Sequence, residues 1–305
     1  MSKRLWANVL CGLGLMAVFG MACLLGVSLL AQTPPPAQEK SPEPKVAATA
    51  AAAPGDKAWG ILRDALKDAS PDKRAKAVRA LGLLPGNAEA EKTATSALQD
   101  EKPNVRVAAA VALGSMHAQH ANPQLEKALE DSEPTVVLAA ANSLLLLNDD
   151  AGYEVYYAVL TGEKRANKGL IKEQLDTLKD KKKMAELGFE EGIGFIPFAG
   201  IGYEIFKTVT KDDSSPVRAA AAKKLAHDPN PDSAEALATA ATDKNWTVRA
   251  AALEAIAQRG DRSLVARIAA ALDDDKDVVR FTAAACIAHL SALPAKKGSA
   301  KTAKP

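Results

Sequence analysis

Four histidines (His117, His120, His227 and His289) and one cysteine outside the N-terminal apolar run, Cys286, are the residues best suited to metal or nucleophilic chemistry in this 305-residue chain. His117 and His120 stand three apart, a spacing that can share one helical face. A zinc site needs further ligands with matching geometry, and none is evident beside them. Cys286 sits in an alanine-rich stretch and reads as a small buried hydrophobe rather than a thiolate. Gly192-Ile193-Gly194 and Gly200-Ile201-Gly202 imitate a phosphate loop, yet the third glycine, the lysine and the preceding strand are missing. No Ser-His-Asp order suggests itself. Neither catalysis nor a metal nor a cofactor is therefore expected.

Composition narrows the partner. Lysines and arginines number 39 and acids 37, giving a formal charge of +2, so no global field would gather nucleic acid. Only 4% of residues are aromatic, and alanine supplies much of the 48% that is hydrophobic. Such a chain leans to helix, because alanine gives up no side-chain entropy there. A single thiol in the body leaves stability to packing.

The elements that must position any site come from an internal repeat. Arginine recurs as Arg74, Arg106, Arg218, Arg249 and Arg280, with Val137 in the same slot once, at spacings of 32, 31, 81, 31 and 31. The gap of 81 holds one further period, landing on Lys168 as a degenerate repeat, plus 50 residues. Six residues before the marker stand Asp68, Asp100, Asp131, Asp212, Asp243 and Asp274. Three after it stand Ala77, Ala109, Ala140, Ala221, Ala252 and Ala283, and seven after it Leu81, Leu113, Leu144, Leu225, Ile256 and Ile287. Each unit reads as a helical hairpin. Upstream apolar residues such as Leu62 and Leu66 make a first helix, a loop with proline follows, and the second helix carries alanine and leucine on one face. The aspartate can accept N–H groups at the start of the second helix and pair with the arginine of its own or a neighbouring repeat. These residues are read as structural. The fold class expected is all-α, an α-solenoid of six to seven hairpins.

The run Asp100-Glu101-Lys102-Pro103-Asn104-Val105-Arg106-Val107-Ala108-Ala109-Ala110-Val111-Ala112-Leu113-Gly114, echoed from Asp243 to Ile256, resembles HEAT repeats of the phycobilisome-lyase-like type. The resemblance implies a curved right-handed solenoid whose second helices line a concave face that binds proteins. Relatives of that type include bilin lyases, enzymes that hydroxylate a modified lysine through metal-bound His-Glu pairs, and glycosylases acting on alkylated DNA. No histidine here is followed by glutamate, which speaks against the metal version. The reading adopted is a non-catalytic, monomeric scaffold that docks a protein partner, without nucleic acid. The alternative is a lyase-like or chaperone protein handling a chromophore or cofactor.

Four regions are expected. Residues 1–31 place Lys3 and Arg4 before an apolar run from Leu5 to Ala31, which as a helix covers about 40 Å against a hydrocarbon core of about 30 Å. Membrane anchor and cleaved signal peptide are both open, and either puts the rest outside the cytoplasm, in a bacterial cell envelope. Residues 32–56 are a Pro/Ala-rich linker, 57–294 the solenoid, and 295–305 a basic tail. The solenoid is interrupted at about 184–203 by an apolar hairpin rich in glycine and phenylalanine, where three of the six phenylalanines fall between 189 and 198. Phe189, Phe195, Ile196, Phe198 and Tyr203 are its candidate contact residues. Three roles are open for it: a plug packed into the seam where the period breaks, an anchor for a partner protein, or a segment that dips into a bilayer.

Overall fold

The computed structural model describes residues 53–161 and 214–294, all within one compact unit, Ala50–Pro305. Its regular elements are helices: α1 (Pro54–Leu66), α2 (Pro71–Ala80), α3 (Ala88–Ala97), α4 (Pro103–Ser115), α5 (Asn122–Ala128), α6 (Pro134–Leu146), α7 (Ala151–Thr161), α8 (Ser215–Leu225), α9 (Pro231–Ala240), α10 (Trp246–Arg259), α11 (Val265–Ile268) and α12 (Asp277–Ala292). The all-α solenoid is as the repeat predicts. Among the described residues five hairpins are complete (α1/α2, α3/α4, α5/α6, α9/α10 and α11/α12), with α7 and α8 flanking them.

Local chemistry explains where these helices begin. Proline stands in the first turn of α1, α2, α4, α5, α6, α8 and α9, where its missing N–H has no intrahelical acceptor to lose. Where α3 and α10 start without proline, Asn87 and Asn245 cap them, each side chain accepting from a backbone N–H at 2.9 Å. Gly260 ends α10 at φ +65°, a left-handed conformation that glycine adopts without strain.

Packing follows the register. Ala77, Ala109, Ala140, Ala252 and Ala283 are fully buried, as are Leu81, Leu113, Leu144, Ile256 and Ile287. A small side chain at the first position lets the helix backbones approach, and the larger one fills the layer between first and second helices. Close approach is marked between α4 and α6. A Cβ on Gly114 would lie 2.6 Å from Ser143 Oγ, and that buried hydroxyl donates to Ala110 O at 2.8 Å. In α8 the register slips: Ala221 is exposed and Leu225 half-buried, while Ala219, Ala222 and Ala226 are buried instead.

The order of the stack differs from the order of the chain. The second helices pack side by side as α8, α10, α12, α2, α4 and α6, with α7 against α6. The last hairpin thus stacks on the first. Helix α1 lies along α12 more extensively than along its own partner α2, and a Cβ on Gly55 would come 3.0 Å from Ser291 Cβ. Among the described residues the halves meet between α12 and α1/α2, where second helices present the same alanine and leucine face as elsewhere in the row. The break in the period itself lies outside the described residues. Residues 162–213 join α7 to α8 and lie outside the described residues, as do Lys168 and the segment 184–203.

Candidate functional site

Three of the marker arginines, Arg74, Arg106 and Arg249, link two hairpins by the same set of bonds. Arg106 donates through Nε and Nη2 to both carboxylate oxygens of Asp131 at 2.7 and 2.8 Å, and through Nη1 to Asp100 O at 3.0 Å. Asp131 Oδ1 also accepts from Glu133 N at 2.9 Å, in the turn that opens α6. The arginine therefore takes a carbonyl from its own repeat's aspartate and a carboxylate from the next one, which decides between the two pairings the spacing left open. Arg74 repeats the pattern with Asp100 at 3.0 and 2.9 Å and with Asp68 O. Arg249 repeats it with Asp274 at 2.7 and 2.8 Å and with Asp243 O. Arg218 pairs with Asp243. In the Arg106–Asp131 rung both side chains are only 13% exposed.

Paired charges in this setting sustain one another. Burial opposes ionisation of Asp100, but the bonds from Arg74 and Lys102 N outweigh it and hold the carboxyl below its usual range. The hydrogen bonds that Arg74 and Arg106 donate to Asp100 and Asp131 raise both arginines in turn, against burial.

The rung is missing where the halves meet. Arg280 donates to Asp274 O at 2.9 Å and pairs with Asp277 on its own helix, with its guanidinium 5.4 Å from the Phe281 ring centroid. Asp68 accepts from Ser70 N at 2.8 Å and Lys73 Nζ at 3.2 Å. A solvent-exposed pair, Lys57–Asp273 at 3.0 Å, stands across the junction instead.

A second cluster lies on the face of the second helices turned away from the first helices. Positions five and nine after the marker fall about half a helical turn from the buried positions three and seven. Position five is Lys223 in α8, Glu254 in α10 and Arg79 in α2. Lys223 Nζ stands 3.9 Å from Glu254 Oε2. Burial pushes the Glu254 carboxyl up against the pull of Lys223 and Arg79, and burial lowers both cations. This trio was missed in the sequence, although charge at one register position in an alanine-rich row was the available signal. Position nine in α6 is Leu146, 41% exposed.

Other candidates separate. His117 sits at φ +55° just past α4 and His120 in the 3₁₀ turn Gln119–Ala121, so they do not share a helical face as expected. Cys286 is fully buried, and burial pushes its thiol up. Among the described residues no group of three His, Cys, Asp or Glu could hold a metal ion. An open depression of about 580 Å³ along α9 is lined by Asp232, Glu235, Ala236, Thr239, Ala240 and Asp243. No described helix is long and apolar enough to cross a membrane. Residues 1–31, Phe189, Phe195, Ile196, Phe198, Tyr203 and Asp212 lie outside the described residues.

Comparison with known proteins adds the following. No curated protein matches. Among solved structures, human deoxyhypusine hydroxylase in complex with glycerol aligns at 18% identity and a TM-score of 0.31, covering 78% of this chain and 97% of that one. The complex of CpcE and CpcF of phycocyanin lyase from a Nostoc species aligns at 19% and 0.30, covering 83% and 100%. Both are enzymes, which corrects the expectation that this chain is no enzyme. The physical reason is that a repeat supplies only a framework, and the side chains grafted on it decide whether it does chemistry. A missing motif in the framework is no argument against activity. The model of HEAT repeats matches residues 61–150 and 204–288, bearing out the resemblance read from Asp100–Gly114. Those two stretches make up more than half of the chain, which therefore belongs to the HEAT-repeat family.

Proposed function

We propose that the chain is a monomeric HEAT-repeat scaffold that docks a protein on the row of second helices, presented outside the cytoplasm by residues 1–31. One observation carries this reading: six second helices from both halves form one uninterrupted row. Its face away from the first helices carries the exposed Leu146 and Lys76 beside the half-buried Arg79 and Lys223. Apolar positions bordered by ionic ones are the ordinary make-up of a protein-binding surface. The Arg–Asp rungs hold neighbouring hairpins in fixed register, so such a face is pre-organised and gives up little entropy on binding. Lys3, Arg4 and the apolar run to Ala31 support the location.

The test is affinity capture from envelope extract with the wild-type chain and with Leu146→Lys. That substitution alters the face at an exposed position and should leave thermal unfolding unchanged. Loss of one reproducible partner with the variant is the expected result. Equal capture by both chains would contradict a site on this row, and absorbance of the purified chain above 300 nm would point to a bound chromophore instead.

A further inference from the structure

A second helix in a two-layer stack should be wet on one side, yet every residue of α12 from Phe281 to Ala288 is buried. Helices α1, α2, α10 and α11 pack around it. Its two neighbours in the row also meet each other. Helix α10 touches the 3₁₀ turn Leu81–Leu83 that follows α2, although α12 stands between them in the row. The row therefore curves sharply at α12 and closes over the side turned away from the first helices.

Charge meets at that closure. Position five of α12 is Ala285, fully buried. So small a side chain leaves room above it for the residues at the same position on either side, Glu254 from α10 and Arg79 from α2. Lys223 of α8 stands 3.9 Å from Glu254 Oε2. The Glu254 side chain is 16% exposed, and its Oε2 is buried with no hydrogen-bond partner among the described residues. Attraction between desolvated charges outweighs their lost hydration only when geometry and hydrogen bonding are complete. A cluster that falls short of this contributes little net stability, and what its attraction selects is a geometry.

We propose that Lys223, Glu254 and Arg79 form an ionic clasp over α12 that sets the curvature of the second-helix row. The clasp spans the two halves of the chain at the place where the arginine–aspartate rung is missing, and it acts whether or not that face docks a protein. Spin labels on Ser115→Cys and Gln258→Cys test it, in the full chain with Cys11 and Cys23 changed to serine. Both positions are exposed, and both stand nine after the marker, on α4 and α10. With second helices roughly 9–10 Å apart, a straight row would put these helices about 27–30 Å from each other. The clasped chain should give one narrow distance shorter than that. Replacing the trio by apolar residues (Arg79→Met, Lys223→Met, Glu254→Leu) should leave the unfolding midpoint unchanged or raised, while the distance lengthens and broadens. An unchanged distance would overturn the proposal, and so would an apolar chain that no longer folds, because the charges would then be carrying stability. A charge-inverted chain (Arg79→Glu, Lys223→Glu, Glu254→Lys) should recover the short distance, and a long one in that folded chain would also count against the clasp. No partner enters the measurement, so its outcome is separate from the Leu146→Lys capture.

Discussion

Two kinds of joint hold this solenoid together. Within each half, successive hairpins are clamped by an arginine that grips a backbone carbonyl behind it and a carboxylate ahead of it, as Arg106 does with Asp100 and Asp131. Between the halves, α12 meets α1 and α2 with no such rung, and Arg280 turns back to Asp277. Apolar packing is common to both kinds, so it drives stacking without choosing neighbours. The rung adds register, and it appears where hairpins are consecutive in the chain.

That contrast ranks the substitutions. Removing one partner of a largely buried ion pair strands the other, so Arg106→Ala should lower unfolding free energy by about 3 kcal/mol in a denaturant titration. Gly114→Ala should follow at about 1–3 kcal/mol, since its Cβ would press on Ser143 Oγ and Cα inside a packed crossing. At the junction Gly55→Ala should be within about 1 kcal/mol of neutral, because the gain in helix propensity offsets a mild contact with Ser291. Should Gly55→Ala prove as damaging as Gly114→Ala, the two joints would not differ as described.

Acid offers a gentler probe of the same difference. Asp100 is held below the usual carboxylate range, so its stabilising contribution is present above its unfolded pKa of about 4 and is lost as pH falls through its folded value. Asp100→Asn should therefore unfold with a shallower acid dependence than wild type, and an unchanged slope would count against the rung. Glu254 has the opposite sign. Burial raises it, so its contribution weakens as pH rises through its folded value. The smallest effect is expected for Lys57→Ala, because the Lys57–Asp273 pair is solvent-exposed and such pairs contribute about 0–1 kcal/mol.

The repeat, the hairpins and the structural role of Arg74, Arg106 and Arg249 were legible from spacing, since each follows from helical periodicity. Which hairpin neighbours which was not. Ala283 and Ile287 on α12 present the same chemistry to a neighbour as Ala252 and Ile256 on α10, so nothing local says that α12 should stack on α2. The charged trio of Arg79, Lys223 and Glu254 was hidden for the same reason, because Lys223 and Glu254 are joined by Arg79 only through the permuted order. The aromatic candidates, Phe195 and Phe198 among them, were legible as an exception to composition and lie outside the described residues.

The permuted order is the claim on which the binding face depends, and one cross-link tests it. In a chain with Cys11 and Cys23 changed to serine, Gly55→Cys and Ser291→Cys would bring two thiols within the reach of a disulfide, while Cys286 stays buried. Mild oxidation should then close an intramolecular bond between α1 and α12 in the monomer, found by peptide mapping. Free thiols, or bonds formed only between chains, would mean that the last hairpin does not stack on the first.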